Sequence, residues 1–197
     1  MVVIDAYGAL DQGFRQWGPV PAAELARAHR IFHPRWAPAR TLLQRAGAPV
    51  EQVSFIVRGL TRMFYVGEGG VERTKGFRGE GELVCSYAAA LRDASSQQFI
   101  EALEPCELLT AHRPSFVRLC AGHPAWATVL GAMTERLFLD EERRHRQLLT
   151  EDATTRYRVF VTEQPTLAAR LTQRQIAAYV GVSPETLSRI RASLVAG

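Results

Sequence analysis

The chain has 197 residues, 47% of them apolar and 22% charged, which suits one or two folded domains and excludes a disordered or collagen-like polymer. No run of about 18 apolar residues is present to span a membrane. The net charge is +4, and Arg170, Arg174, Arg189 and Arg191 near the end of the chain face a single acid, Glu185. Most of the excess positive charge therefore lies at the C-terminal end, as expected of a segment that meets phosphates. Met1-Val2-Val3-Ile4 forms no basic leader, so a cytoplasmic location is expected.

Residues 5–17 and 21–28 read as two short helices, separated by Pro19 and Pro21. From Val53 the pattern turns to short strands. Val53–Arg58 ends at Gly59, and Leu60–Val66 alternates, with Leu60, Arg62, Phe64 and Val66 on one face and Thr61, Met63 and Tyr65 on the other. Gly67-Glu68-Gly69-Gly70 signals a turn. Further strands are predicted at Val71–Phe77, Glu82–Cys85, Gln98–Leu103 and Glu107–Ala111. Many short strands with glycine-rich turns suggest an antiparallel barrel or jelly roll.

After Pro114 the pattern becomes helical. Residues 124–149 form the longest predicted helix, with Trp126, Val129 or Leu130, Met133 and Leu137 at steps of three and four. A symmetric dimer would bury such a stripe, and packing on the chain's own barrel is the alternative. Another helix is predicted over 153–164, stopped by Pro165.

The strongest signal is the last thirty residues. Thr172 and Gln175 form a capping box, and Ile176, Ala177 and Val180 share one face. Gly181 suits a left-handed helix end, Val182 plugs the turn, Ser183 caps the next helix and Pro184 fits its first position. Leu187, Ile190 and Leu194 are expected to be buried, leaving Glu185, Ser188, Arg189 and Ala192 outside. This is a helix–turn–helix whose second helix suits the major groove. Glu185, Ser188 and Arg189 are the predicted base readers: Arg can bond guanine bidentately, and Glu can accept from the cytosine amino group. Thr172, Arg174, Ser183, Thr186 and Arg191 are the predicted phosphate contacts.

With these motifs, with Phe55-Ile56-Val57-Arg58-Gly59-Leu60 and with Gly81-Glu82-Leu83-Val84, the chain resembles the Crp/Fnr family of bacterial transcription regulators over roughly residues 20–194. The resemblance implies an α+β fold in three parts. These are an N-terminal antiparallel β-roll or jelly-roll sensor domain of the cyclic-nucleotide-binding type (1–118), a long dimerisation helix (119–149) and a C-terminal helix–turn–helix domain (150–197). It implies a homodimer on a palindromic operator, and RNA polymerase as a possible partner. In family terms Glu185 and Arg189 match the base-reading pair, while Pro184 replaces a family Arg. Family members often carry a β-hairpin wing after the second helix; here either the wing is absent or the sequence stops before it, and phosphate contacts are expected mainly from the helices.

Members that bind cyclic AMP carry a Gly-Glu-Leu turn and a phosphate-binding Arg-Ser. Arg92, eleven residues after Gly81, imitates that spacing, but the flanking sequence sets another register. There the turn glycine becomes Cys85, the ribose-binding Glu becomes Ser86, and Arg-Ser becomes Ser96-Gln97. Without a cation, cyclic AMP binding in the family's usual manner is not expected. A ligand-free scaffold, or a pocket for another small effector near Cys85, Ser86, Tyr87, Ser96 and Gln97, remains.

No cofactor or metal is expected. Cys85, Cys106 and Cys120 have no metal-ligand or cluster spacing, and the five histidines read as surface or capping residues. A cupin-like barrel enzyme would need clustered ligands, yet residues 53–111 contain no His, so the chain is not expected to be an enzyme. A non-DNA interaction protein with a relict helix–turn–helix is the other competing class.

Overall fold

The computed structural model describes residues 5–196; Met1–Ile4, which carry the leader expectation, and Gly197 lie outside the described residues. The N-terminal helices are α1 (Ala6–Arg15), capped by the Asp5 carboxylate accepting from the Gly8 N–H at 3.0 Å, and α2 (Ala22–His29). Two strands that the sequence reading missed follow, β1 (His33–Ala37) and β2 (Leu42–Gln44). Pro34 lacks the N–H that an inner strand needs, but β1 lies at a sheet edge, where this is tolerated. Next come β3 (Gln52–Arg58), β4 (Thr61–Val66), a 3-10 turn (Glu68–Gly70), β5 (Glu72–Arg78) and β6 (Leu83–Val84). A short helix α3 (Tyr87–Leu91), β7 (Phe99–Ala102), β8 (Cys106–His112) and α4 (Arg113–Ala121) lead to the long helix α5 (Pro124–Thr150). The C-terminal helices are α6 (Ala153–Glu163), α7 (Pro165–Arg170), α8 (Gln173–Val180) and α9 (Pro184–Ala196). Pro165 stops α6 as expected and then opens α7, which was not expected.

Two four-stranded sheets form among the described residues, ordered β1-β8-β3-β6 and β2-β7-β4-β5. β3 runs antiparallel to β8, with Phe55 opposite Leu109, and β4 antiparallel to β7, with Met63 opposite Ile100. Gly59, at φ +115°, makes the tight link from β3 to β4; a Cβ there would lie 2.6 Å from the Cys106 sulfur. The mixture of helices and antiparallel sheets is the expected α+β class.

The chain divides into two compact units. One comprises residues up to Phe64 with Gly76–Arg136, and the other Tyr65–Lys75 with residues from Leu137 on. α5 contributes its first half to the former and its second half to the latter.

In the first unit the period of two on β3 and β8 creates two cores. Ile56 and Leu108 point into the roll, where they meet Ala37, Met63, Val84, Ile100, Ala102 and Cys106. Phe55, Val57 and Leu109 point the other way, onto Leu10, Phe14, Leu25, Phe32, Phe116, Trp126 and Val129 from the helices. Each such large side chain contributes about 1.5–3 kcal/mol on full burial. The alternation read on β4 is only half visible, because Arg62 and Phe64 are as buried as Thr61 and Met63. Arg62 pairs with Glu101 at 3.0 Å and lies 4.0 Å from the Phe64 ring centroid. Phe64 in turn stacks on Phe99.

In the second unit Phe160, Ile176, Ala177, Val180 and Leu187 form the centre of the core.

Candidate nucleic-acid interface

α8 begins with the predicted capping box. The Thr172 hydroxyl accepts from the Gln175 N–H at 3.3 Å, and the Gln175 side chain accepts from the Thr172 N–H at 2.8 Å. The helix ends at Gly181, at φ 88° and ψ 30° in the left-handed region. The N–H groups of Gly181 and Val182 both return to the Ala177 carbonyl, at 2.9 and 3.0 Å. Ser183 then caps α9 by accepting from the Thr186 N–H at 3.2 Å. Leu187 and Ile190 turn inward, and Glu185, Ser188 and Arg189 lie exposed. Leu194 departs from expectation: it is 36% exposed, so the buried stripe of α9 ends at Ile190. By that point the helix has run past the core that α6 and α8 supply.

The Glu185 carboxyl is held below its ordinary pKa, first by a hydrogen bond from the Ser183 hydroxyl, then by its own backbone N–H and the nearby Arg189 charge. It is therefore an ionised acceptor at neutral pH. Arg189 is exposed and donates to the Thr186 hydroxyl at 3.3 Å. Thr172 and Arg174 are exposed at the start of α8, Ser183 at the start of α9, and Arg191 further along it, while Thr186 is half-buried. The predicted DNA-contact residues thus fall on α9 and on the N-terminal turn of α8.

The residues expected around an effector separate. Ser86 and Ser96 are buried with their hydroxyls 2.9 Å apart. Ser96 also donates to the Gln98 carbonyl at 2.7 Å and accepts from the Gln98 N–H at 3.2 Å. Tyr87 reaches α5, its hydroxyl 2.8 Å from that of Thr134. Gln97 is exposed, which removes it from a buried pocket. Cys85 follows Val84, which points into the roll, so its own side chain faces the helical core instead. There burial, opposed by the Arg78 charge, pushes its thiol pKa up to about 11. Arg92, the false phosphate ligand, is exposed and donates to the Ala88 carbonyl at 3.1 Å, closing α3. Local spacing could not indicate Thr134 as the partner of Tyr87, because α5 brings it there.

The expected dimer stripe also needs correction. Trp126 and Val129 are both 0% exposed within their own unit. The Trp126 ring lies 5.0 Å from that of Phe14, and its indole N–H donates to buried Glu24 at 2.9 Å. Neither side chain can reach a partner. Met133 is half-buried against the same core, and Leu137 on the next turn of the helix is half-buried. The large apolar side chains that α5 leaves open are Phe138, Leu139, Leu148 and Leu149.

All three cysteines are free, and no group of His, Cys, Asp and Glu among the described residues could hold a metal ion. His123 caps α5, its Nδ1 accepting from the Ala125 N–H at 3.1 Å, and His29 pairs with Asp11 at 2.7 Å. No helix among the described residues is long and apolar enough to cross a membrane.

Residues 34–123 match the cyclic nucleotide-binding domain. No curated protein matches the sequence. Among solved structures, the c-di-GMP-responsive global regulator CLP of Xanthomonas campestris is similar with a TM-score of 0.74 at 21% identity, covering 89% of this chain and 92% of that one. FixK2 from Bradyrhizobium japonicum gives 0.74 at 20% identity, over 84% and 85%. A protein assigned to the Crp/Fnr family of transcriptional regulators in Eubacterium rectale gives 0.77 at 16% identity, over 94% and 89%. Residues 34–123 are thus similar to a cyclic nucleotide-binding domain, and the chain shares its fold with these solved regulators, one of which is assigned to the Crp/Fnr family.

Proposed function

We propose that the chain is a homodimeric, sequence-specific transcription regulator that inserts α9 into the major groove of DNA. The observation that carries this reading is the outward face of α9. Glu185, Ser188 and Arg189 are exposed together on a helix whose pose is set by the Gly181 turn and the Ser183 cap. Glu185 accepts from a cytosine amino group and Arg189 donates to guanine O6 and N7. Thr172, Arg174, Ser183, Thr186 and Arg191 bind phosphate.

Residues 1–118 act as the sensing or scaffold part, 119–149 as the coupling and dimer helix, and 150–197 as the DNA-reading part. Two-fold symmetry calls for a palindromic operator with half-sites ~34 Å apart. Dimer contact falls on the exposed side of α5, where Ala127, Gly131, Thr134 and Phe138 recur at steps of four, three and four. The chain acts in the cytoplasm and catalyses no reaction; where its output is activation, RNA polymerase is the second partner. The Ser86–Ser96 pair offers neutral hydrogen bonding and no cation, which suits a ligand-free scaffold or an effector other than a cyclic phosphate.

Fluorescence anisotropy tests this reading, with a random-sequence duplex and a duplex enriched from a randomised pool, each at two salt concentrations. Binding that weakens steeply with salt is expected. Arg189→Ala weakens the enriched duplex by ~1–3 kcal/mol and relaxes one base position. Absence of binding to either duplex overturns the reading in favour of a relict helix–turn–helix.

A further inference from the structure

Two arginines outside α9 hold the turn from which it departs. The last carbonyls of a helix have no partner within it. The Gly181 and Val182 N–H groups both serve the Ala177 carbonyl, which leaves the carbonyls of Tyr179 and Val180 to be satisfied from elsewhere. Arg144 of α5 donates to the Tyr179 carbonyl, and its guanidinium lies 4.2 Å from the centroid of the Tyr179 ring. Arg156 of α6 donates through Nε to the Val180 carbonyl at 3.0 Å and through Nη1 to the Glu151 carbonyl, just past the end of α5. Leu148 and Arg156 also flank Gly181: a Cβ there would meet Leu148 Cδ2 at 3.9 Å and Arg156 Nη2 at 4.0 Å. Burial is the main cause that lowers the pKa of Arg144, so this cation is drawn out of water to make its contacts.

A single water could satisfy either carbonyl without fixing a direction. A planar guanidinium with donors in a rigid fork fixes both the carbonyl and the element it came from. Two cations at the negative end of α8 are also favoured by the helix dipole.

We propose that Arg144 and Arg156 are positioning residues that set the angle at which α9 leaves the Gly181–Ser183 turn, and with it the register of Glu185, Ser188 and Arg189 against base edges. The base-edge half of this statement rests on the DNA reading above; the clamp on the turn does not.

The test uses the full chain with nitroxide labels at Glu142→Cys on α5 and Ala192→Cys on α9, both exposed positions. Pulsed electron resonance without DNA, with the labelled chain diluted in excess unlabelled chain, is expected to give one narrow intrachain distance. Arg144→Gln and Arg156→Gln are expected to broaden or shift it while cooperative melting persists, and Arg144→Lys to restore it in part. On DNA, Arg144→Gln is expected to lose about tenfold on the enriched duplex and much less on the random one. Unchanged distances in both Gln variants overturn the clamp. Equal losses on the two duplexes, together with loss of cooperative melting, overturn the positioning role in favour of a merely structural one. If the unmodified chain binds neither duplex, the DNA reading and the base-edge register fall, and the distances still decide the clamp.

Discussion

The hydroxyls of Ser86 and Ser96 lie 2.9 Å apart with both side chains buried, so the two bond to each other. Ser96 also serves the backbone of Gln98. Ser96→Ala leaves the Ser86 hydroxyl and the Gln98 carbonyl without this partner. A loss of about 1–2 kcal/mol in urea denaturation is expected. Ser96→Arg, which buries an unpaired charge at the same point, is expected to cost more. Cyclic AMP is expected to leave the melting temperature of the unmodified chain unchanged, and a rise that saturates with concentration would contradict the proposal that this pair does not serve a cyclic phosphate.

Gly181 adopts φ 88°, and a Cβ there would meet nothing closer than 3.9 Å. The cost of Gly181→Ala is therefore backbone strain rather than collision. A destabilisation of about 1 kcal/mol is expected in thermal or urea unfolding. Gly181→Asn is expected to recover part of it, since Asn tolerates the left-handed region better. Equal losses for the two variants would point to packing instead.

The helix–turn–helix was legible because its signals are local. Capping box, turn glycine and Ser-Pro start each act within four residues, and each is found where the spacing placed it. The edge strands β1 and β2 were not legible. His33-Pro34-Arg35-Trp36-Ala37 has no alternation, and only pairing with β8 makes it a strand. Likewise the stripe through Trp126 and Val129 had the right period but could not name its partner, which proved to be Phe14 and Glu24 on α1 and α2. Cys85 was misplaced for a related reason, since a period-two step after Val84 sends it to the other core.

Glu24 gives a pH signature. Its carboxyl pKa lies below its ordinary value, mainly because the Trp126 indole N–H donates to it, with Arg27 adding a hydrogen bond and charge. The folded pKa is lower than the unfolded one. The stabilisation is therefore fully present above the ordinary glutamate range and is lost as pH falls through the folded value. Glu24→Gln is expected to flatten the acid limb of the melting temperature plotted against pH, with little change in its slope at neutral pH. An acid limb of unchanged steepness would assign the loss to other carboxylates.

Phe138 is 65% exposed on α5, on the face that also carries Ala127, Gly131 and Thr134. Nothing lies within 4 Å of a Cβ built on Gly131, so a second helix could approach closely there. Placing a carboxylate at position 138 would bury an unpaired charge in a helix pair. Phe138→Glu is expected to weaken dimerisation by ~2–4 kcal/mol, which raises the dimer Kd at least ~30-fold. Sedimentation velocity over a concentration series reads this directly, and melting of the monomer should be little changed because Phe138 is largely exposed. Met133→Glu separates the two roles of the helix. Met133 packs on the core with Trp126 and Val129, so this substitution is expected to lower the melting temperature first. A dimer that persists in Phe138→Glu would move the self-association surface off this face of α5.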